Sequence, residues 1–248
     1  MRLTTLIILS LAATHTQAMQ FTIGPMAQYK ADFLSSSERS VGLTPFIEVH
    51  RDDENVRPET ADAARLDIWS ERDWEAGVAF NISAGRDDGD ARDAGFTGLD
   101  EIDTTFEIGA YALKRFGGIE IGVDLLRGIN GHKGFVLTPE LAYESDNEAR
   151  LRWRIAAQAS WANQRYQREF FGTEGVRFNN APLANYSPDS GFRDIGLRFA
   201  MIYDLAPRWS LVGIAGVNRY LGDAEDSPLV AVGEDTDPLV GIGVAYTF

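Results

Sequence analysis

Apolar and polar residues alternate with a period of two along much of this chain, and helical periodicity is rare. The clearest run sets Leu151, Trp153, Ile155, Ala157, Ala159 and Trp161 on one face. Arg150, Arg152, Arg154, Ala156, Gln158 and Ser160 fall on the other. One face is apolar with an aromatic near each end; the other is strongly polar. A strand of about ten residues tilted across a bilayer has this pattern, with aromatics at both interfaces. The alternation recurs at 119–126, 135–144, 194–204 and 240–248. Pro139 has no N–H to donate and predicts a bend or bulge in its strand.

The links between these runs alternate in length. Counted back from Phe248, long links fall at about 222–238, 164–191, 127–133 and 84–102. Short ones fall at about 204–208, 145–149 and 114–118. Outer-membrane barrels combine short periplasmic turns with long outer loops, so both termini are expected in the periplasm. Further strands near 20–30, 40–50, 63–71 and 74–83 bring the count to eleven. A closed single-chain bacterial barrel needs an even number, so one strand within residues 20–83 is miscounted. The pattern therefore predicts an all-β, transmembrane, antiparallel up-and-down β-barrel of about twelve strands, with ten as the alternative. It forms a single domain over residues 19–248.

The first 18 residues read as a cleavable signal peptide. Arg2 supplies the positive start and residues 3–13 the apolar stretch, while Thr16 and Ala18 are the small residues before a cut after Ala18. So short a stretch does not span a bilayer as a helix. No later run of about 18 apolar residues occurs, which excludes a helical membrane protein. Cysteine is absent, so no disulfide contributes and a large sheet or core must hold the fold.

The formal charge is −14, one unit more negative once Arg2 leaves with the signal. Such a surface repels phosphates and argues against a nucleic-acid partner. The acids concentrate at 52–54, 87–93, 100–103 and 223–226. These stretches read as solvated loops, with divalent-cation binding as the alternative.

The polar faces carry the more specific signal. Glu107, Glu120, Asp124, Glu140 and Glu144 are expected to face inward from three successive strands, and Arg150, Arg152, Arg154 and Arg198 from the next two. An acidic sector then adjoins a basic one in a narrow lumen. Two readings stand: ion pairs that close the bore, favoured because arginine pairs bidentately with carboxylates, or a charged aqueous pore. The loop 164–191, with Tyr166, Phe170, Phe171, Phe178 and Tyr186, is aromatic-rich for an exposed segment and is expected to fold over the barrel mouth.

Catalytic chemistry is poorly represented. After signal removal only His50 and His132 remain, and neither accompanies a nucleophile motif such as Gly-x-Ser-x-Gly. No catalytic, cofactor-binding or metal-ligating residue is assigned. Gly241-Ile-Gly243 is strand alternation without a following helix and is no phosphate loop.

Five stretches then fall in a recognisable order: Gly98-Leu-Asp-Glu-Ile-Asp103, Gly131-His-Lys-Gly134, Tyr166 with Phe170-Phe-Gly172, Tyr186 with Ser190-Gly-Phe-Arg193, and Leu221-Gly-Asp-Ala-Glu-Asp-Ser-Pro-Leu-Val230. Together they resemble the MipA/OmpV family of outer-membrane proteins, whose name comes from interaction with a murein-degrading lytic transglycosylase. The ten residues from Leu221 to Val230 are the most specific of the set, and the amino-terminal third matches least. The terminal Phe248, with Tyr246 and Val244 before it, resembles the signal read by the outer-membrane assembly machinery. The resemblance implies an outer-membrane address and a non-enzymatic role: scaffolding murein hydrolases and synthases, adhesion or envelope permeability. A small diffusion channel is the main competing reading, and a barrel hydrolase the third.

Overall fold

In the computed structural model, residues 19–51, 64–145 and 148–248 are described. Two hairpins open the chain: β1 (Met19–Ala31) with β2 (Arg39–Arg51), and β3 (Ala64–Glu71) with β4 (Trp74–Ser83). After a loop holding α1 (Asp88–Asp93) and the two-residue β5 (Phe96–Thr97) come β6 (Thr105–Phe116), β7 (Ile119–Gly128), β8 (Phe135–Glu144) and β9 (Leu151–Ala162). The next loop carries α2 (Gln164–Phe171), β10 (Arg177–Phe178) and β11 (Ala181–Pro182). The chain continues through β12 (Gly191–Ala206), β13 (Trp209–Tyr220), α3 (Gly222–Glu225), α4 (Pro228–Val232) and β14 (Thr236–Thr247).

Eleven strands form one sheet in the order β2-β1-β14-β13-β12-β9-β8-β7-β6-β4-β3, every neighbour antiparallel. This is the up-and-down arrangement that the alternation predicts. β1 pairs with both β2 and β14, which brings the chain's two ends together. The Phe248 N–H donates to the Phe21 carbonyl at 2.9 Å, and the Thr22 and Thr247 hydroxyls lie 2.8 Å apart. Following the antiparallel pairs round the sheet, its edge strands β2 and β3 run in the same direction. A twelfth strand between them would fall outside the described residues.

Local chemistry explains most of the turns. The β6–β7 reversal needs only Gly117 and Gly118, with Gly117 at φ +64°, a left-handed conformation that glycine adopts without a Cβ penalty. Pro139 leaves no bulge. The β8–β9 ladder drops the pairs at Thr138 and Pro139 and resumes unshifted at Glu140 with Gln158, because a missing donor breaks bonds without inserting a residue. Register shifts occur instead in β3, between Asp67 and Trp69, and in β12, between Phe192 and Asp194 and between Asp204 and Ala206.

The two faces of the sheet differ in kind. Ile68, Ile121, Leu141, Leu197 and Ile242 point outward and are more than half exposed, and Leu43 is 80% exposed. Left in water, each such side chain would forgo about 1.5–3 kcal/mol of burial, so a continuous band of them belongs in lipid. The opposite face buries Glu107, Glu120, Asp124, Glu140, Arg152 and Arg154. Exposed or half-buried Trp74, Phe116, Tyr143, Trp153, Trp209 and Tyr246 mark the end with the short turns, as an interfacial aromatic girdle does. No helix among the described residues is long and apolar enough to cross a membrane. This barrel crosses with strands, and strands of this kind are the outer-membrane architecture.

Candidate functional site: a charge-paired lumen beneath an apolar cap

Ion pairs line the interior from β3 to β12, and Arg65, Arg115 and Arg154 are joined through Glu120. Arg154 on β9, 2% exposed, donates to Glu120 on β7 at 2.8 Å and to Glu140 on β8. Arg65 on β3 grips Asp124 on β7 bidentately, Nε to Oδ1 at 3.1 Å and Nη2 to Oδ2 at 2.6 Å. The same guanidinium lies 5.3 Å from the centre of the Tyr111 ring, and the Tyr111 hydroxyl donates to Asp67. Arg115 on β6 bonds Glu75 on β4, and its Nε sits 3.0 Å from Glu120 Oε2 in a contact that is ionic but poorly aligned. Nearer the short-turn end, Arg152 holds Asp204 bidentately at 2.6 and 2.8 Å, and Ser210 donates to the same carboxylate at 2.9 Å. Bidentate charge-assisted bonds in a low-dielectric interior fix geometry as well as charge balance.

Acidic and basic side chains named from the sequence fall at different depths of this wall. Glu107 is inward but belongs to a separate group: His132 Nε2 is 2.8 Å from its Oε1, and Asn81 donates to its Oε2 at 2.6 Å. Glu144 is only half-buried near the short-turn end. Arg198 faces inward, half-buried beside Gly216. Arg150 departs from the expectation. It precedes the first residue of β9, is exposed, donates to the Asp204 carbonyl at 2.7 Å and lies 4.9 Å from the centre of the Tyr203 ring. The face parity that aims Arg152 and Arg154 inward does not govern a turn residue. Arg150→Gln is therefore expected to leave the urea-unfolding midpoint unchanged, unlike substitution at Arg154.

The sequence reading missed Arg65, Asp67, Glu75, Tyr111, Arg115 and Asp204. Tyr111 and Arg115 share the Glu107 face of β6, so period two alone would have placed them. Arg65 and Asp67 lie on β3, where alternation is weak. Asp204 sits beside a bulge, which scrambles face parity.

Above the network the long loops close over the barrel mouth. α2 is capped by Asn163, whose Oδ1 accepts from the N–H of Tyr166 at 3.2 Å, and it buries Tyr166, Phe170 and Phe171. The Tyr166 and Phe170 rings are 4.5 Å apart, and Phe171 meets Tyr220 edge-on at 5.2 Å. A second apolar cluster joins Phe33, Phe96, Leu99, Val176 and Leu229 from four different loops. Arg86 fastens the 84–104 loop to the last turn of α2. Its guanidinium donates to the carbonyls of Asp100 at 2.9 Å and of Glu169 and Phe170 at 3.3 Å, the negative end of the helix. Burial brings its pKa down to about 10, so it remains charged at neutral pH. Burial likewise pushes the Tyr166 phenol up to about 12, where Arg193 donates to its oxygen at 2.6 Å.

His132 is fully buried here. Its Nδ1 accepts the Gly134 N–H at 3.0 Å, which leaves Nε2 to carry the proton toward Glu107. Both nitrogens are thus engaged with partners other than a hydroxyl. Gly131, at φ +48°, makes the tight reversal beside it; a Cβ there would lie 2.0 Å from Thr105 Oγ1. Two of the acidic stretches, expected as loops or turns, form short helices: Asp87 caps α1, and Asp223 in α3 accepts from the Asp189 N–H through Oδ2 at 2.7 Å. Among the described residues no three His, Cys, Asp or Glu side chains are placed to hold a metal ion. Residues 52–54 lie outside the described residues.

The profile of the family described as "MltA-interacting protein MipA" matches residues 23–248. The chain belongs to the MipA family. The five stretches that carry its family resemblance meet in the cap. Ile102, His132, Tyr166, Phe171 and Val230 pack there, and the Tyr186 hydroxyl donates to the Asp223 carbonyl at 2.9 Å. No curated protein matches the chain. Among solved structures, Neisserial surface protein A is 10% identical with a TM-score of 0.30, covering 93% of this chain and 97% of that one. A bacterial polysaccharide outer membrane secretin is 13% identical with a TM-score of 0.40, covering 94% and 99%. A major outer membrane protein from Thermus thermophilus is 15% identical with a TM-score of 0.28, covering 93% and 100%.

Proposed function

We propose that this MipA-family barrel is a closed, non-enzymatic scaffold of the outer membrane whose partners are murein-processing enzymes. The observation that carries the closed reading is the lumen itself. Arg65, Arg115, Arg152 and Arg154 reach between β3, β4, β6, β7, β8, β9 and β12, and an apolar cap lies over one end. A conducting pore keeps polar positions hydrated, whereas here opposed charges satisfy one another along the inner wall from β3 to β12. The partner class comes from the family's name, and the short turns at the end that holds both termini support a periplasmic side for that end.

Purified protein in a planar bilayer is expected to give no large, stable conductance steps; such steps at neutral pH would sink the closed reading. Crosslinking in intact cells is expected to recover a murein hydrolase or synthase, and repeated recovery of none would sink the scaffold reading.

A further inference from the structure

A cationic strip runs along the outer wall of this acidic protein, at the loop end of the barrel. β7 turns Arg127 outward, its guanidinium 5.1 Å from the centre of the Phe135 ring on its direct strand partner. Phe135 in turn exchanges hydrogen bonds with Asn163, N–H to Oδ1 at 3.0 Å and carbonyl to N–H at 3.1 Å. α2 therefore starts one strand farther along the same rim. Lys133, Arg165 and Arg168 are exposed there, while Tyr166, Gln167, Phe170 and Phe171 are buried. Of the acids nearest α2, Glu169 is half-buried beside Arg86 and Asp189 accepts from Gln164, while Asp103, exposed beside the Gly131 turn, is the acid that could compete for Lys133. Ile108 lies directly beside Arg127, and just below the strip lie the exposed Leu125 and Leu137 of the apolar belt.

Cations at the top edge of a lipid-facing belt, without carboxylate partners, are matched by anions held at headgroup depth. Arginine meets a phosphate bidentately, and an aromatic beside it positions the acyl boundary. We propose that Arg127, Lys133, Arg165 and Arg168 bind the phosphate groups of a phosphorylated glycolipid in the outer leaflet. The assignment rests on the orientation adopted above, with the long loops outside.

Native mass spectrometry of the detergent-solubilised barrel tests it, with lipid A carrying both phosphates, its dephosphorylated form and phosphatidylglycerol as probes. The phosphorylated glycolipid is expected to bind at least about ten-fold more tightly than either of the others. The triple variant R127Q/K133Q/R165Q, folded by its heat-modifiable gel mobility, is expected to lose about two orders of magnitude in affinity, roughly a factor of five per charge. K114Q/R208Q at the opposite rim should bind as wild type does. Equal binding of the dephosphorylated lipid or of phosphatidylglycerol, or unchanged binding by the triple variant, would overturn the proposal. The detergent measurement does not depend on orientation. Labelling of an Asn180→Cys variant in intact cells reports orientation separately, so the two ideas fail independently.

Discussion

Arg154→Ala is expected to lower the unfolding free energy by about 3–5 kcal/mol, because it removes a charge-assisted bond from two buried carboxylates at once. Glu120 and Glu140 are 2% and 5% exposed, and both are bonded by this one guanidinium. Arg115 still reaches Glu120, but the substitution takes a charge-assisted bond from each of the two buried carboxylates. An uncompensated charge in a low-dielectric interior costs far more than the net worth of the pair that held it. The measurement is equilibrium unfolding in urea, followed by tryptophan fluorescence. The triple variant R154M/E120Q/E140Q should recover most of the loss, since removing the charges together leaves none unpaired. A loss below about 1 kcal/mol for Arg154→Ala would mean the lumen is wet enough to solvate both carboxylates. In that case the closed reading loses its main support.

How much of this was legible in the sequence depends on how regular each strand is. β9 alternates without interruption, so period two alone assigns Arg152 and Arg154 to one face, and both are buried. The same rule sent Arg150 inward, and it failed because the strand begins one residue later. The acids of β7 and β8 were equally plain, yet their partner Arg65 was not. β3 is short and exposed on both faces for most of its length, so its polar and apolar positions carry no contrast to read. The cap was visible only as composition: a loop with too many aromatics to be solvated. Its helices follow from local chemistry that can be read in retrospect, Asn163 capping α2 and Ser227 with Pro228 opening α4. What they pack against comes from loops far apart in sequence, and no periodicity records that.

Phe171→Ala is the complementary prediction, aimed at the cap while leaving the sheet intact. Phe171 is fully buried, meets the Tyr220 ring, and its carbonyl accepts from the Ser227 hydroxyl at 2.7 Å. Deleting a buried phenyl group costs about 3–5 kcal/mol when the site cannot collapse around the space left. Collapse is opposed here because the surrounding groups are pinned: Arg86 to the end of α2, and Ser35 to the Tyr220 hydroxyl at 2.9 Å. The cost falls on local opening of the loops rather than on the strand ladders, so cleavage within 172–190 by an added protease should rise by about two orders of magnitude or more. Heat-modifiable gel mobility should be unchanged, since the eleven-stranded sheet keeps its bonds. Conductance should also stay absent. The charges joining β3 to β9 lie below the cap and do not depend on it. Stable open steps in the Phe171→Ala protein would transfer the sealing role from the lumen to the cap, and the ion pairs would then serve stability alone.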